Sequence, residues 1–185
     1  MTGGYQFPEF TLHVKPSNKN ASYVIAAALV SAAASVGVCF FIDRYRGIFG
    51  LIAMIFFTVA ILFYTKYSAA EYTYDLTSDS KGMPILVIKS RTGRRITTLL
   101  RLDLYAVRKI ERLTRSELKG KKSDTGVLKY TYTPSFLPSE VIFLTVRSHY
   151  ERADVIIEAP REFEEILAAS VENAVLVFGE DGLSE

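Results

Sequence analysis

The sequence predicts an α+β chain: a transmembrane helical hairpin, then a seven-stranded antiparallel sheet or open barrel capped by a C-terminal helix. Three observations predict it. Between Ser22 and Tyr64 the only charged residues are Asp43, Arg44 and Arg46. From Glu71 the pattern changes to short alternating runs separated by turn residues. After the last such run, residues 160–178 carry apolar side chains at helical spacing. The segments are therefore a lead over 1–20 with a possible short strand, a membrane hairpin over 21–67, a sheet domain over 70–179 and a tail over 180–185. A chain of 185 residues has room for one modest domain and an anchor.

The lead alternates Phe10, Leu12 and Val14 with Thr11, His13 and Lys15, which is strand spacing. Such a strand can add to an exposed sheet edge, with a loose tail on the membrane surface as the bland alternative. Ser22–Ile42 holds 21 residues without a charge. As a helix that run is roughly 31 Å long, about the thickness of a bilayer's hydrocarbon core. Ile48–Tyr64 is a second run of 17 residues, with Tyr64, Tyr67 and Lys66 placed to sit at a headgroup layer. The link Asp43–Gly47 is too short for a domain, so the helices form a tight antiparallel pair. Two such runs in tandem are hard to bury in a chain this small. Ala27, Ser31 and Ser35 share one face of the first helix, a spacing that lets helix backbones approach closely. Neither helix has an interior charge, which favours an anchor over a conduit.

In the domain, Glu71–Leu76, Pro84–Arg91, Arg94–Leu100, Asp103–Leu113, Val127–Thr133, Val141–Ser148 and Arg152–Ala159 read as strands. Thr92-Gly93 and His149-Tyr150 mark hairpin turns. Asp103–Leu113 also fits helical spacing. Thr114–Gly126 reads as a basic loop. Pro160 suits a first helical turn, and Glu162, Glu164 and Glu165 suit the positive end of a helix dipole. Phe163, Ile166, Leu167, Ser170, Val171, Ala174, Val175 and Phe178 form the stripe, and Gly179 is placed to end it. The glutamates belong to its solvated face.

Composition excludes several function classes. One cysteine (Cys39) leaves no disulfide framework, and two histidines leave no histidine metal cage. Nucleotide-binding, nucleophile-elbow and zinc-protease signatures are absent. His149-Tyr150-Glu151 has the spacing of a zinc deaminase without its paired cysteines. No catalytic, cofactor or metal residue is predicted. Charge is the remaining signal. Residues 81–129 hold 14 basic and 4 acidic side chains, whereas residues 130–185 hold 3 and 11. Lys89, Arg91, Arg94, Arg95, Lys119, Lys121 and Lys122 are the candidate contacts for an anionic lipid surface or a partner. Nucleic acid is not predicted, because stacking aromatics and a recognition helix are not evident.

The element order, short strands closed by the helix Pro160–Phe178, resembles the pleckstrin-homology (PH) fold. The two-helix hairpin ahead of it is similar to bacterial membrane proteins that carry PH-like domains. The resemblance spans roughly residues 20–178 and rests on architecture, with no catalytic motif. It implies a PH-like domain in which Phe163 and Phe178 fill the volume where a tryptophan usually stands, since this chain has none. The basic pattern that holds phosphoinositide in some PH domains has a loose counterpart in Lys81, Lys89 and Arg91. Strand spacing separates the last two from Lys81, so that ligand is not carried over.

The expected function is a membrane-anchored, non-enzymatic module for protein–protein or membrane-surface interaction. A membrane-bound enzyme acting on a lipid or peptide, and a membrane stress or lipid sensor, stand as alternatives. The expected partners are the bilayer and a protein, or a second copy through Ala27, Ser31 and Ser35. The expected location is the plasma membrane, multi-pass, with the domain and both termini cytoplasmic, since Lys15, Lys19 and Lys66 flank the spans on that side.

Overall fold

A computed structural model of the chain describes residues 9–15, 19–80, 82–121, 126–147 and 152–178. Lys81, Lys122, the His149–Glu151 turn, Gly179 and the tail lie outside the described residues. The described residues fall into two compact units.

The first unit is helical and runs from Lys15 to Ala70, joined by Pro134–Phe136. Helix α1 spans Lys19–Phe41 and α2 spans Arg46–Tyr67, with a 3-10 turn at Asp43–Tyr45 between them. Both helices are long and apolar enough to cross a membrane. Only 11% of each apolar window is buried. A core helix of a water-soluble protein would hide far more of its apolar surface. The seam between the helices is made by small residues, with Ala21, Ala28 and Ala32 of α1 and Ala53 and Ala60 of α2 buried. Ser31 and Ser35 are half-buried beside that seam, and Ala27 is exposed. The packed ridge thus lies one residue round from the stripe read in the sequence. The hydroxyl of Ser35 donates to the Ser31 carbonyl (2.8 Å), which satisfies it without a second helix. At the end of α2, Phe63 and Tyr67 meet Phe136, with ring centroids 5.0 and 5.3 Å apart.

The second unit holds the strands. β1 (Phe10–Val14), β2 (Ala70–Ser78), β3 (Pro84–Thr92) and β4 (Arg95–Asp103) form one sheet in that order. A 3-10 turn at Leu104–Ala106 leads to β5 (Val107–Thr114), then α3 (Arg115–Gly120) and β6 (Leu128–Tyr132). β7 (Glu140–Arg147), β8 (Arg152–Ile157) and α4 (Arg161–Phe178) follow. The second sheet has the order β5-β7-β8-β6.

Three expectations are corrected. The seven strands expected in the domain are present as β2–β8, and the lead's possible strand is an eighth, β1, which pairs antiparallel with β2 from Phe10↔Leu76 to Val14↔Tyr72. They form two open four-stranded sheets and no closed barrel. They are not all antiparallel, since β6 lies parallel to β8. The basic stretch read as a loop contains α3. Its start is a capping box: the Thr114 hydroxyl accepts from the Glu117 N–H, and the Glu117 carboxylate accepts from the Thr114 N–H (2.7 Å).

Hydrogen bonds to Thr114, first from its backbone and then from its side chain, hold the Glu117 carboxyl below the usual glutamate range. The unfolded value is therefore the higher of the two. The cap's stabilisation is complete above the unfolded pKa and fades as pH falls through the folded one. Amide protection factors at residues 116–119, corrected for the intrinsic pH dependence of exchange, are expected to fall on acidification through the carboxylate range, and much less so in Glu117→Gln.

The core lies between the sheets and α4. Tyr74, Leu86, Ile88, Leu104, Ile142, Leu144, Ile157, Phe163 and Leu167 are fully buried. Phe163 sits 5.8 Å from the Tyr74 ring and 6.0 Å from Phe10, so α4 touches both β2 and the lead strand. Tyr74 donates its hydroxyl to the Tyr132 carbonyl of β6 (2.8 Å), linking the two sheets. Burial raises the Tyr74 pKa, so the phenol stays protonated as a donor. The helical stripe narrows along α4. Phe163, Leu167, Ser170 and Ala174 are buried, while Val175 is exposed. Glu164 is not simply solvated, because it pairs with Arg112 (2.6 Å).

Candidate functional site

Two cationic features stand out on the sheet unit, and the structure divides the predicted contact residues between them. The first is the free end of the β3–β4 hairpin. The register slips between Ile88 and Lys89, leaving Leu99 as an extra residue on β4. Burial changes at the same point. Pro84–Ile88 are buried, whereas Arg91, Thr92 and Arg95–Leu99 are exposed. The hairpin thus has a packed base and a bare tip. The Tyr132 hydroxyl donates to the Leu99 carbonyl (3.3 Å), which supports the irregular point.

The tip turn is Gly93-Arg94, with Thr92 opposite Arg95. Gly93 has φ of 60°, a value that an L side chain adopts only with strain. Arg91 braces the turn by donating from Nε to the Gly93 carbonyl (3.1 Å). Lys89 is engaged by Asp75 at 2.6 Å. Among the described residues, no acidic partner meets Arg91, Arg94 or Arg95. Ile96, between them and Leu99, is 64% exposed. The hairpin tip therefore combines three cations with a bare apolar residue.

The second feature lies on the outer face of the second sheet. Val141, Phe143 and Ile156 form a small cluster there, covered by Leu113 and by Leu118 of α3. Lys121, just past α3, sits over the Phe143 ring at 3.8 Å and pairs with Glu111. Glu111 also pairs with Lys109 (2.5 Å). Hydrogen bonds from Lys109 and then Lys121 hold the Glu111 carboxyl below its usual range. Lys119 is exposed on α3. Beside this cluster is an open cleft of about 400 Å³ lined by Arg108, Lys121, Phe143, Arg147, Arg152 and Asp154, among others.

The predicted set is thus split. Lys89, Arg91, Arg94 and Arg95 share one hairpin, while Lys119 and Lys121 belong to α3 and the sheet beneath it. Arg147 and Arg152 were missed, yet a signal existed. They are equidistant from the expected turn at His149-Tyr150, which places them opposite each other across a hairpin, and the structure pairs them so. Among the described residues, no group of three His, Cys, Asp or Glu side chains is placed to hold a metal ion. Compared with known proteins, the chain matches no family model and no curated protein.

Proposed function

We propose that the chain is a membrane-anchored, non-enzymatic module of PH-like architecture that engages the anionic surface of its own bilayer through the β3–β4 hairpin. One observation carries the reading: Arg91, Arg94 and Arg95, without acidic partners among the described residues, surround the exposed Ile96 on a hairpin end that packs against little. Cations near an anionic membrane surface contribute about 1 kcal/mol each. An apolar side chain among them can enter the headgroup layer, which a purely charged patch would not do.

Connectivity supports the anchoring. β1 precedes α1, β2 follows α2, and the two strands are hydrogen-bonded neighbours. Both flanks of the helical pair are therefore on one side of any membrane, which requires an even number of crossings. Two spans meet that requirement. Lys15, Lys19 and Lys66 flank the spans on the domain side and favour the cytoplasm. The PH-like assignment rests on two antiparallel-rich sheets followed by a C-terminal helix whose Phe163 fills the core.

The test is hydrogen–deuterium exchange on the full chain in nanodiscs. Residues 91–97 are expected to exchange more slowly in discs containing phosphatidylserine than in pure phosphatidylcholine. The protection should vanish in about 0.5 M salt, where the Debye length is only a few ångströms. It should vanish likewise in the double variant Arg94→Gln/Arg95→Gln. Equal exchange in the two lipids would refute surface contact by this hairpin.

A further inference from the structure

We infer that the cleft on the outer face of the second sheet is a binding site for a phosphate-bearing ligand, held by Arg108, Arg147 and Arg152. The argument begins with register. Arg147 of β7 lies directly opposite Arg152 of β8, and Thr145 lies opposite Asp154. Residues two apart on a strand share a face, so all four belong to one side of the sheet. Like charges directly opposite on neighbouring strands repel and destabilise the pair. Among the described residues, no ion pair or hydrogen bond engages the side chain of either arginine. Among the described residues, no direct pairing relieves that repulsion.

Arg108 reaches the same place by an irregularity. Val107 pairs with Val146 and Lys109 with Thr145, so Arg108 is the extra residue of a β-bulge. In an unbroken strand, residues next to each other face opposite ways. The bulge re-aims a side chain, and Arg108 lines the cleft with the other two.

Among the described lining residues Asp154 is the one acid, buried and already engaged in an interaction. Lys121 shares Glu111 with Lys109 and is neutralised only in part. Among the described residues, the three arginines against Asp154 therefore leave an excess of at least two positive charges in a cleft of about 400 Å³. That volume lies within the range of small-ligand sites. Guanidinium forks match phosphate oxygens in pairs, which a solvated lysine cannot do as well. Phe143 gives the floor an apolar surface beside the cations. The occupant is a small phosphomonoester or diphosphate, whether free in solution or as the headgroup of a lipid. This inference does not depend on the hairpin's contact with the membrane.

The experiment uses the full chain in nanodiscs of pure phosphatidylcholine, titrated with inorganic pyrophosphate at low salt by calorimetry. Saturable binding of one pyrophosphate per chain is expected. Arg147→Gln and Arg152→Gln should each weaken it about tenfold or more, the loss of a charge-assisted bond. Arg94→Gln/Arg95→Gln should leave it unchanged. A second readout guards against misfolding. Without ligand, Arg152→Gln should melt no lower than the parent protein, because it removes a repulsion. Pyrophosphate should then raise the melting temperature of the parent and not of the variant. A further arm replaces part of the lipid with phosphatidic acid. If that lipid displaces pyrophosphate in a manner sensitive to Arg147→Gln, the source is a headgroup. If pyrophosphate binds and the lipid does not compete, the source is soluble. Absence of saturable binding, or equal weakening by the hairpin variant, overturns the site.

Discussion

Replacing Phe163 and Leu167 together by alanine is expected to unfold the sheet unit at room temperature. Both side chains are fully buried, and Phe163 lies against the Tyr74 and Phe10 rings. Truncating a buried phenylalanine costs about 3–5 kcal/mol and a buried leucine about 2–5 kcal/mol. The two share one core, so their losses need not add strictly. Even a partial sum takes most of the roughly 5–15 kcal/mol that holds a typical domain together. Near-ultraviolet circular dichroism of the full chain in micelles should lose its tertiary signal. Helicity from α1 and α2 should persist, because their packing is internal to their own unit. A melting temperature close to the parent's would show that α4 does not hold the core.

Arg112→Ala is expected to destabilise the sheet unit by about 1–3 kcal/mol, the cost of leaving charged hydrogen-bond partners unsatisfied in a partly buried place. The Arg112 guanidinium donates to Glu164 of α4 (2.6 Å) and to Glu140 of β7 (2.9 Å). It also donates to the Ala159 carbonyl (3.3 Å). One side chain on β5 therefore ties the neighbouring strand to the start of α4. Burial alone would lower its pKa, but the bonds to Glu164 and Glu140 outweigh that and raise it, so the charge is held firmly. Arg112 is 17% exposed and Glu164 25%, so solvent screens that pair only in part, whereas Glu140 is 43% exposed and its pair is screened more like a surface one. Arg112→Lys keeps the charge but loses the fork, and should recover part of the stability only. Thermal melting of both variants, with the cycle through Glu164→Gln, measures the coupling. A loss below about 0.5 kcal/mol, the range of ordinary surface substitutions, would reduce the triad to a surface contact.

The sequence made the helical pair and α4 legible because each is a local pattern. An uncharged run of membrane length, or a stripe at helical spacing, needs no knowledge of neighbours. The β3–β4 hairpin was legible for the same reason, with alternation broken by Gly93 at a turn. What escaped was whatever depends on pairing. Alternation in Leu128–Tyr132 announces a strand but not that its neighbour will be β8, in parallel. The stretch from Asp103 read ambiguously because it holds two irregularities, the 3-10 turn at Leu104–Ala106 and the bulge at Arg108, and both break the two-residue period. α3 was overlooked because its six residues carry no apolar stripe, although Thr114 and Glu117 have the spacing of a capping box. The cleft arginines come from β5, β7 and β8, and only register brings them together.

The union of β1 with β2 also sets an order of events during synthesis. His13 leaves the ribosome sixty residues before Thr73, the neighbour to which it hydrogen-bonds. On the anchored reading, both greasy segments are made and inserted while β1 waits without a mate. A translocation error that threads one segment alone would leave β1 across the bilayer from β2. The first sheet would then lack its outermost strand, and Phe163 would lose the ring of Phe10. On that reading, the pairing of β1 with β2 can form only when both segments have crossed.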